Sequence, residues 1–296
     1  MSVRNVFMGP QRLRAGWGVL LFVAFTLALR AVIGGAVTAA HVNVPDGFSP
    51  GVLAASDGLT FVLVLLVTLL VGRIERRTLA ACGLPWRGAL RPGFWVGLLW
   101  GLAAVAAIVA PVAAMGGVHW DGLRYHGGEL ARMTLLWALA MLAVGLAEEL
   151  FFRGYMLRAL ADGIGFWPGA VVLSLAFGAI HFFFKPHETL VDFASVGLIG
   201  LFFCFALRRT GDLWWPIGFH AGFDLAQLGL FAGPNSGNAG QPVAQALLVP
   251  HWTGPAWMTG GSLGIEASAF VFPVIALLYV SFARVYRTTN FPPAEN

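Results

Sequence analysis

The amino-acid sequence predicts an all-α, polytopic membrane protein with about eight transmembrane helices in one bundle. Of its 296 residues 58% are hydrophobic and 11% charged, where soluble domains carry about a quarter. The mean hydropathy is +0.78. Apolar stretches near or above the roughly 18–20 residues that cross a bilayer recur along the whole length. The short alternating strands of a β-barrel are absent. Cys82 and Cys204 stand in no paired spacing, which suggests neither a disulfide framework nor a thiolate metal site.

The expected spans are 15–38, 52–72, 93–115, 131–157, 167–184, 189–207, 213–232 and 264–286. Arg4, Arg12 and Arg14 precede the first. That segment also has features of a signal peptide, with an apolar core and Ala39-Ala40, but its apolar character continues past Arg30, so it is read as a span. Arg73, Arg76, Arg77, Arg87 and Arg91 crowd the connection between the second and third spans. Arg158 follows the fourth, Arg208 and Arg209 the sixth, and Arg287 the last. With eight spans these charges share one side, which the positive-inside rule makes cytoplasmic, together with both termini. The net charge of +4 is thereby explained by membrane orientation, with no call for nucleic acid. Residues 232–263, on the other side, are Gly- and Pro-rich and uncharged. The expected organisation is a three-span region over 1–130, a core over 131–232, and an extracytoplasmic loop with the last span over 233–296.

Ionisable residues inside a span cost roughly 2.5–3.5 kcal/mol each on insertion scales and so mark function. Glu148, Glu149 and Arg153 close the apolar run Met133 to Ala147; Phe177 and His181 lie in the fifth span, His220 and Asp224 in the seventh. Residues four apart share a helix face, so Glu149 lies over Arg153, Phe177 over His181, and His220 over Asp224. Glu148 is turned about 100° from Glu149. At a rise of about 1.5 Å per residue, Glu148 and His181 lie roughly 18–20 Å from the cytoplasmic connection, and His220 and Asp224 roughly 10–17 Å. Taken singly, a Glu–Arg pair is a structural ion pair and a membrane histidine an interhelical hydrogen-bonding residue. Four such residues at similar depth on three helices point to a site.

Glu148-Glu149-Leu150-Phe151-Phe152-Arg153, then Phe177-Gly178-Ala179-Ile180-His181, then His220-Ala221-Gly222-Phe223-Asp224, resemble the three motifs of the CAAX protease and bacteriocin-processing family of intramembrane peptidases. The run Arg209 to Ile217 is similar to that family's approach to its third motif, and the resemblance covers about 133–232. It implies an intramembrane endopeptidase in a bacterial cell membrane, acting on a peptide or membrane-protein segment. The peptide would be admitted from the cytoplasmic or lipid side and could be prenylated. Glu148 and His181 are the expected catalytic pair, with Glu148 the base and His181 sharing the attacking water. Glu149 and Arg153 are a structural ion pair, and Phe177 supports the motif. His220 and Asp224 complete the catalytic set, the family implicating these positions in oxyanion stabilisation. The last position is often asparagine there; an ionised aspartate cannot donate, so orienting His220 or holding a metal fits it better. Glu148, His181, His220 and Asp224 also suit a Zn²⁺ ion, and metal-assisted and metal-free catalysis both stand. Two other classes compete: a non-catalytic scaffold or bacteriocin self-immunity protein of the same fold, and a proton-coupled carrier.

Overall fold

The computed structural model describes residues 13–41 and 47–291; Arg4 and Arg12 lie outside them. It is a helical bundle with six helices long and apolar enough to cross a membrane among the described residues. These are α1 (Ala15–Ala39), α2 (Pro50–Glu75), α3 (Pro92–Ala114), α4 (Gly127–Ile164), α5 (Phe166–Phe184) and α6 (Leu190–Thr210). They make the chain an integral, multi-pass membrane protein.

The two remaining expected spans are shorter. Helix α7 is regular only over Trp214–Asp224 and continues as a π-helix through Leu225–Leu230. Helix α8 is Val271–Val285, where the apolar run predicted 264–286. Its start is set by Ser268, whose hydroxyl accepts from the Phe270 N–H and donates to the Met258 carbonyl, and by Gly264 at φ 84°, a backbone that no helix adopts. Other ends follow ordinary capping chemistry. Ser49 accepts from the Val52 N–H ahead of α2 with Pro50 as its first residue, and Gly165 at φ 90° separates α4 from α5.

Helices α3 and α7 meet at their glycines. A methyl group on Gly97 or Gly101 would overlap the carbonyls of Trp215 or Phe219, and one on Gly218 or Gly222 those of Phe94 or Leu98. Two Gly-x-x-x-Gly faces are thus opposed, and the missing side chains let the backbones touch, the usual means of tight helix association in lipid. The helix carrying His220 is held at that contact. On its other side Phe202, Trp215, Phe219 and Phe282 form an aromatic cluster joining α6, α7 and α8.

The arginine-bearing connections gather at one end of the bundle. Leu213 N–H donates to the Gly83 carbonyl at 2.7 Å and Trp214 Nε1 to the Pro85 carbonyl at 2.9 Å, joining the α2–α3 and α6–α7 connections. Arg77 pairs with Glu75 at 2.9 Å and with Asp162, Arg158 pairs with Asp162 at 3.1 Å, and the Tyr155 hydroxyl donates to Glu75 at 3.0 Å. Arg77 and Arg158 are therefore buried and neutralised rather than solvated, as burial of a charge requires.

At the other end lies an element the sequence placed among loops: an antiparallel strand pair, β1 (Val118–Leu123) and β2 (Leu248–Trp252), with His119 opposite His251. Trp120 Nε1 donates to the Phe231 carbonyl at 3.2 Å and Trp252 Nε1 to that of Ala232 at 3.1 Å. The pair is thereby pinned to the end of the π-helical extension of α7.

Candidate active site

Helix α4 changes character at the acidic pair. It is α-helical through Glu149, π-helical over Leu150–Met156, and α-helical again to Ile164, with Gly154 at ψ −116° breaking the regular path. A π segment is a local insertion into the helical ladder and recurs at functional sites. The same change follows Asp224 in α7. The helices that carry Glu148 and Asp224 both leave the regular path soon after them.

Glu149 and Arg153 are almost fully buried, with Arg153 Nη1 3.1 Å from Glu149 Oε1. The guanidinium also lies over the rings of Phe177, Phe203 and Phe152, at 4.5, 5.3 and 5.5 Å from their centroids. Such cation–π contacts offset part of its desolvation. The same Oε1 accepts from His220 Nδ1 at 2.9 Å, since a carboxylate paired with arginine can only accept. His220 is stacked on Phe203 at 5.3 Å. Glu149 thus has two partners, where the sequence predicted one.

With Nδ1 fixed, His220 presents Nε2 to two carboxylates, 3.8 Å from Glu148 Oε2 and 3.5 Å from Asp224 Oδ2. His181 donates from Nδ1 to the Phe177 carbonyl at 2.9 Å, and the two rings lie 4.6 Å apart. That tautomer leaves the lone pair on Nε2 as an acceptor. Glu148, Phe177, His181, His220 and Asp224 all line one cavity of about 210 Å³. The sequence paired Glu148 with His181; the structure sets Glu148 Oε2 3.8 Å from His220 Nε2, and His181 lines the same cavity.

The cavity adds residues that sequence reasoning missed: Asp57 on α2, Lys185 just beyond α5, Gln227 on the π extension of α7, Asn235, and Glu266 ahead of α8. Asp57 and Glu266 stand as lone acids in apolar surroundings, the same signal that singled out Glu148. Gln227 is 2% exposed and its Oε1 has no hydrogen-bond partner among the described residues. Phe48, Asn235, Gly237 and Glu266 belong to connections at the arginine-poor end, so the cavity reaches toward that side rather than toward the arginine-rich one.

A group able to hold a metal lies outside the cavity. Among the described residues, the group whose donor atoms all lie within 4.8 Å of one another is His119, Asp121 and His251, an exposed triad on the strand pair capable of coordinating a metal ion. In the cavity, each histidine has Nδ1 committed to a protein oxygen, and His181 stands apart from the contacts that join His220 to Glu148 and Asp224. Cys82 and Cys204 are free and buried.

The three paired motifs thus converge on one chamber inside a membrane bundle. Residues 129–226 match the family model described as Type II CAAX prenyl endopeptidase Rce1-like. This Rce1-like segment runs from the first turn of α4 into the π extension of α7 and contains Glu148, Glu149, Arg153, Phe177, His181, His220 and Asp224. An uncharacterized 24.3 kDa protein of Escherichia coli is 29% identical over 178 residues, covering 57% of this chain and 77% of that protein. No solved structure gives a significant match. Residues outside the Rce1-like segment supply Asp57, Asn235 and Glu266 to the cavity.

Proposed function

We propose that the protein is an intramembrane endopeptidase that hydrolyses a peptide bond with water activated by Glu148. The observation that carries this reading is the meeting of Glu148, His181, His220 and Asp224 in one cavity within the Rce1-like segment. A water between the Glu148 carboxylate and the free Nε2 of His181 has an acceptor for each of its protons. Glu148 takes one as the oxygen attacks the carbonyl carbon, and returns it to the leaving amine when the C–N bond breaks. His220, doubly protonated and balanced by Glu149 and Asp224, donates from Nε2 to the oxyanion. Asp224 acts by orienting that donor, which suits a group unable to donate itself. The unpartnered Gln227 Oε1 is an acceptor for an N–H of the bound peptide. No step requires a metal held by these four residues.

The peptide enters from the lipid or from the arginine-poor end, whereas the sequence predicted the cytoplasmic side or the lipid; the lining by Phe48, Asn235, Gly237 and Glu266 supports the change. Beside its acids the chamber has an apolar wall that includes Leu53, Ile108, Met141, Val144 and Phe223, which suits a prenylated C-terminal peptide or a segment of a membrane protein. The test is cleavage of a broad peptide library by purified protein and its Glu148→Ala variant, each with and without a strong chelator. Cleavage by the parent alone, unaffected by chelator, is expected. Equal cleavage by both proteins removes the catalytic assignment of Glu148, and no cleavage by either leaves the scaffold reading in its place.

A further inference from the structure

We infer that the strand pair β1–β2 carries a binding site for a divalent transition-metal ion of the zinc class, formed by His119, Asp121 and His251 and separate from the catalytic chamber. Side chains two apart on a strand share a face, so His119 and Asp121 project together. The antiparallel register then sets His251 directly opposite His119. The two imidazoles are stacked, with centroids 4.7 Å apart and planes 11° from parallel, and His251 Nε2 lies 2.6 Å from Asp121 Oδ2. A tetrahedral zinc has bonds of about 2.0–2.2 Å to nitrogen and oxygen, which places its ligand atoms about 3.3 Å from one another. The triad's atoms lie within 4.8 Å of each other already, so side-chain rotation alone closes the site.

The donor set decides the class of ion. Two imidazoles and one carboxylate favour zinc, copper or nickel over calcium and magnesium, which take oxygen ligands. His251 would bind through the nitrogen that now donates to Asp121, shifting its proton to Nδ1 or releasing it. Three protein ligands leave one position for water. None of the three lines the chamber, but the strands they fasten together are hydrogen-bonded to the chain that follows it: Arg124 N–H donates to the Leu247 carbonyl at 2.8 Å, and Leu247 N–H to that of Gly229 at 2.7 Å. A bound ion would therefore stiffen the collar of chain above Gln227 and Leu228, both of which face the chamber.

The experiment is a Zn²⁺ titration of the full chain, purified without a polyhistidine tag, by calorimetry or by competition with a chromophoric chelator. His251→Ala, Asp121→Asn and His181→Ala are run beside it; the first two replace exposed side chains and leave folding intact. The expected result is one equivalent of Zn²⁺ bound, at least tenfold weaker in His251→Ala and in Asp121→Asn, unchanged in His181→Ala, and undisturbed by millimolar Ca²⁺ or Mg²⁺. Proteolysis within 231–264 should slow on adding Zn²⁺ to the parent but not to His251→Ala. Absence of saturable binding in the parent, unchanged affinity in His251→Ala, or an equal loss in His181→Ala overturns the inference.

Discussion

Exchanging Glu149 for glutamine keeps the outline of the side chain and deletes a charge that two buried cation-forming partners use. Arg153 is 1% exposed, so its guanidinium has no water to turn to. Removing one member of a buried ion pair typically costs about 3–5 kcal/mol. Glutamine still accepts a hydrogen bond from Arg153, and the rings of Phe177, Phe203 and Phe152 remain beneath the cation, so the lower figure applies. A loss of about 3 kcal/mol shifts the unfolding equilibrium by roughly 150-fold. Equilibrium unfolding in mixed detergent micelles reads it directly. The double change Glu149→Leu with Arg153→Met removes both charges and should restore most of the stability, because apolar side chains replace buried ion pairs at little or no cost. It should not restore peptide cleavage, since His220 Nδ1 has then lost the acceptor that aims its ring. Unfolding of Glu149→Gln within about 0.5 kcal/mol of the parent would refute the pairing argument, as that is the scatter of ordinary surface changes. Recovery of cleavage in the double variant would refute the orienting role.

Other outcomes follow from single features. Gly222→Val should lower stability by at least about 1–3 kcal/mol and abolish cleavage, because the new side chain meets the Leu98 backbone and displaces the helix bearing His220; Gly93→Ala, with open space around it, is the neutral control in the same unfolding assay. Tyr155→Phe should cost about 1.5–3 kcal/mol through the lost hydrogen bond to Glu75, with an unchanged midpoint as the contrary result. Burial pushes the Cys82 thiol up to about 11, so maleimide at pH 8 should leave it unmodified in native protein and label it after unfolding, as a mass shift reports; labelling in the native state would contradict its burial.

The long helices were legible because side chains that face hydrocarbon must be apolar over the length that crosses the bilayer, which leaves a continuous apolar run in the sequence. The arginine-rich end was legible for the same economy of rules. The pairing of Arg153 with Glu149 could be read from their spacing, but the bond from His220 to Glu149 could not, because it joins residues 71 apart. Helical periodicity gives the Glu149–Arg153 pair, but it does not foretell the π-helical segment that begins at Leu150. The strand pair carries too few residues to show a pattern, and its partners are separated by more than a hundred positions. Asp57 and Glu266 each lie within an expected span, as Glu148 does, but neither has an ionisable neighbour one turn away to mark it as part of a motif. The opposed glycines of α3 and α7 were equally visible as two spaced pairs, yet only the packed structure shows that they face one another.

The π turn after Glu149 is also a statement about chain length. Such a turn holds one residue more than a regular helix needs to cover the same rise. Deleting a single residue between Leu150 and Met156 would let α4 close into an uninterrupted α-helix, an outcome that looks conservative from the helix alone. Because the surplus residue is absorbed within the turn, the helix beyond keeps its facing, with Arg158 and Asp162 still on the side of Arg77; what is lost is the local widening beside the acidic pair. The surplus residue thus gives the acidic chamber above a backbone of its own local shape, while the charged clasp below keeps the register of an ordinary helix.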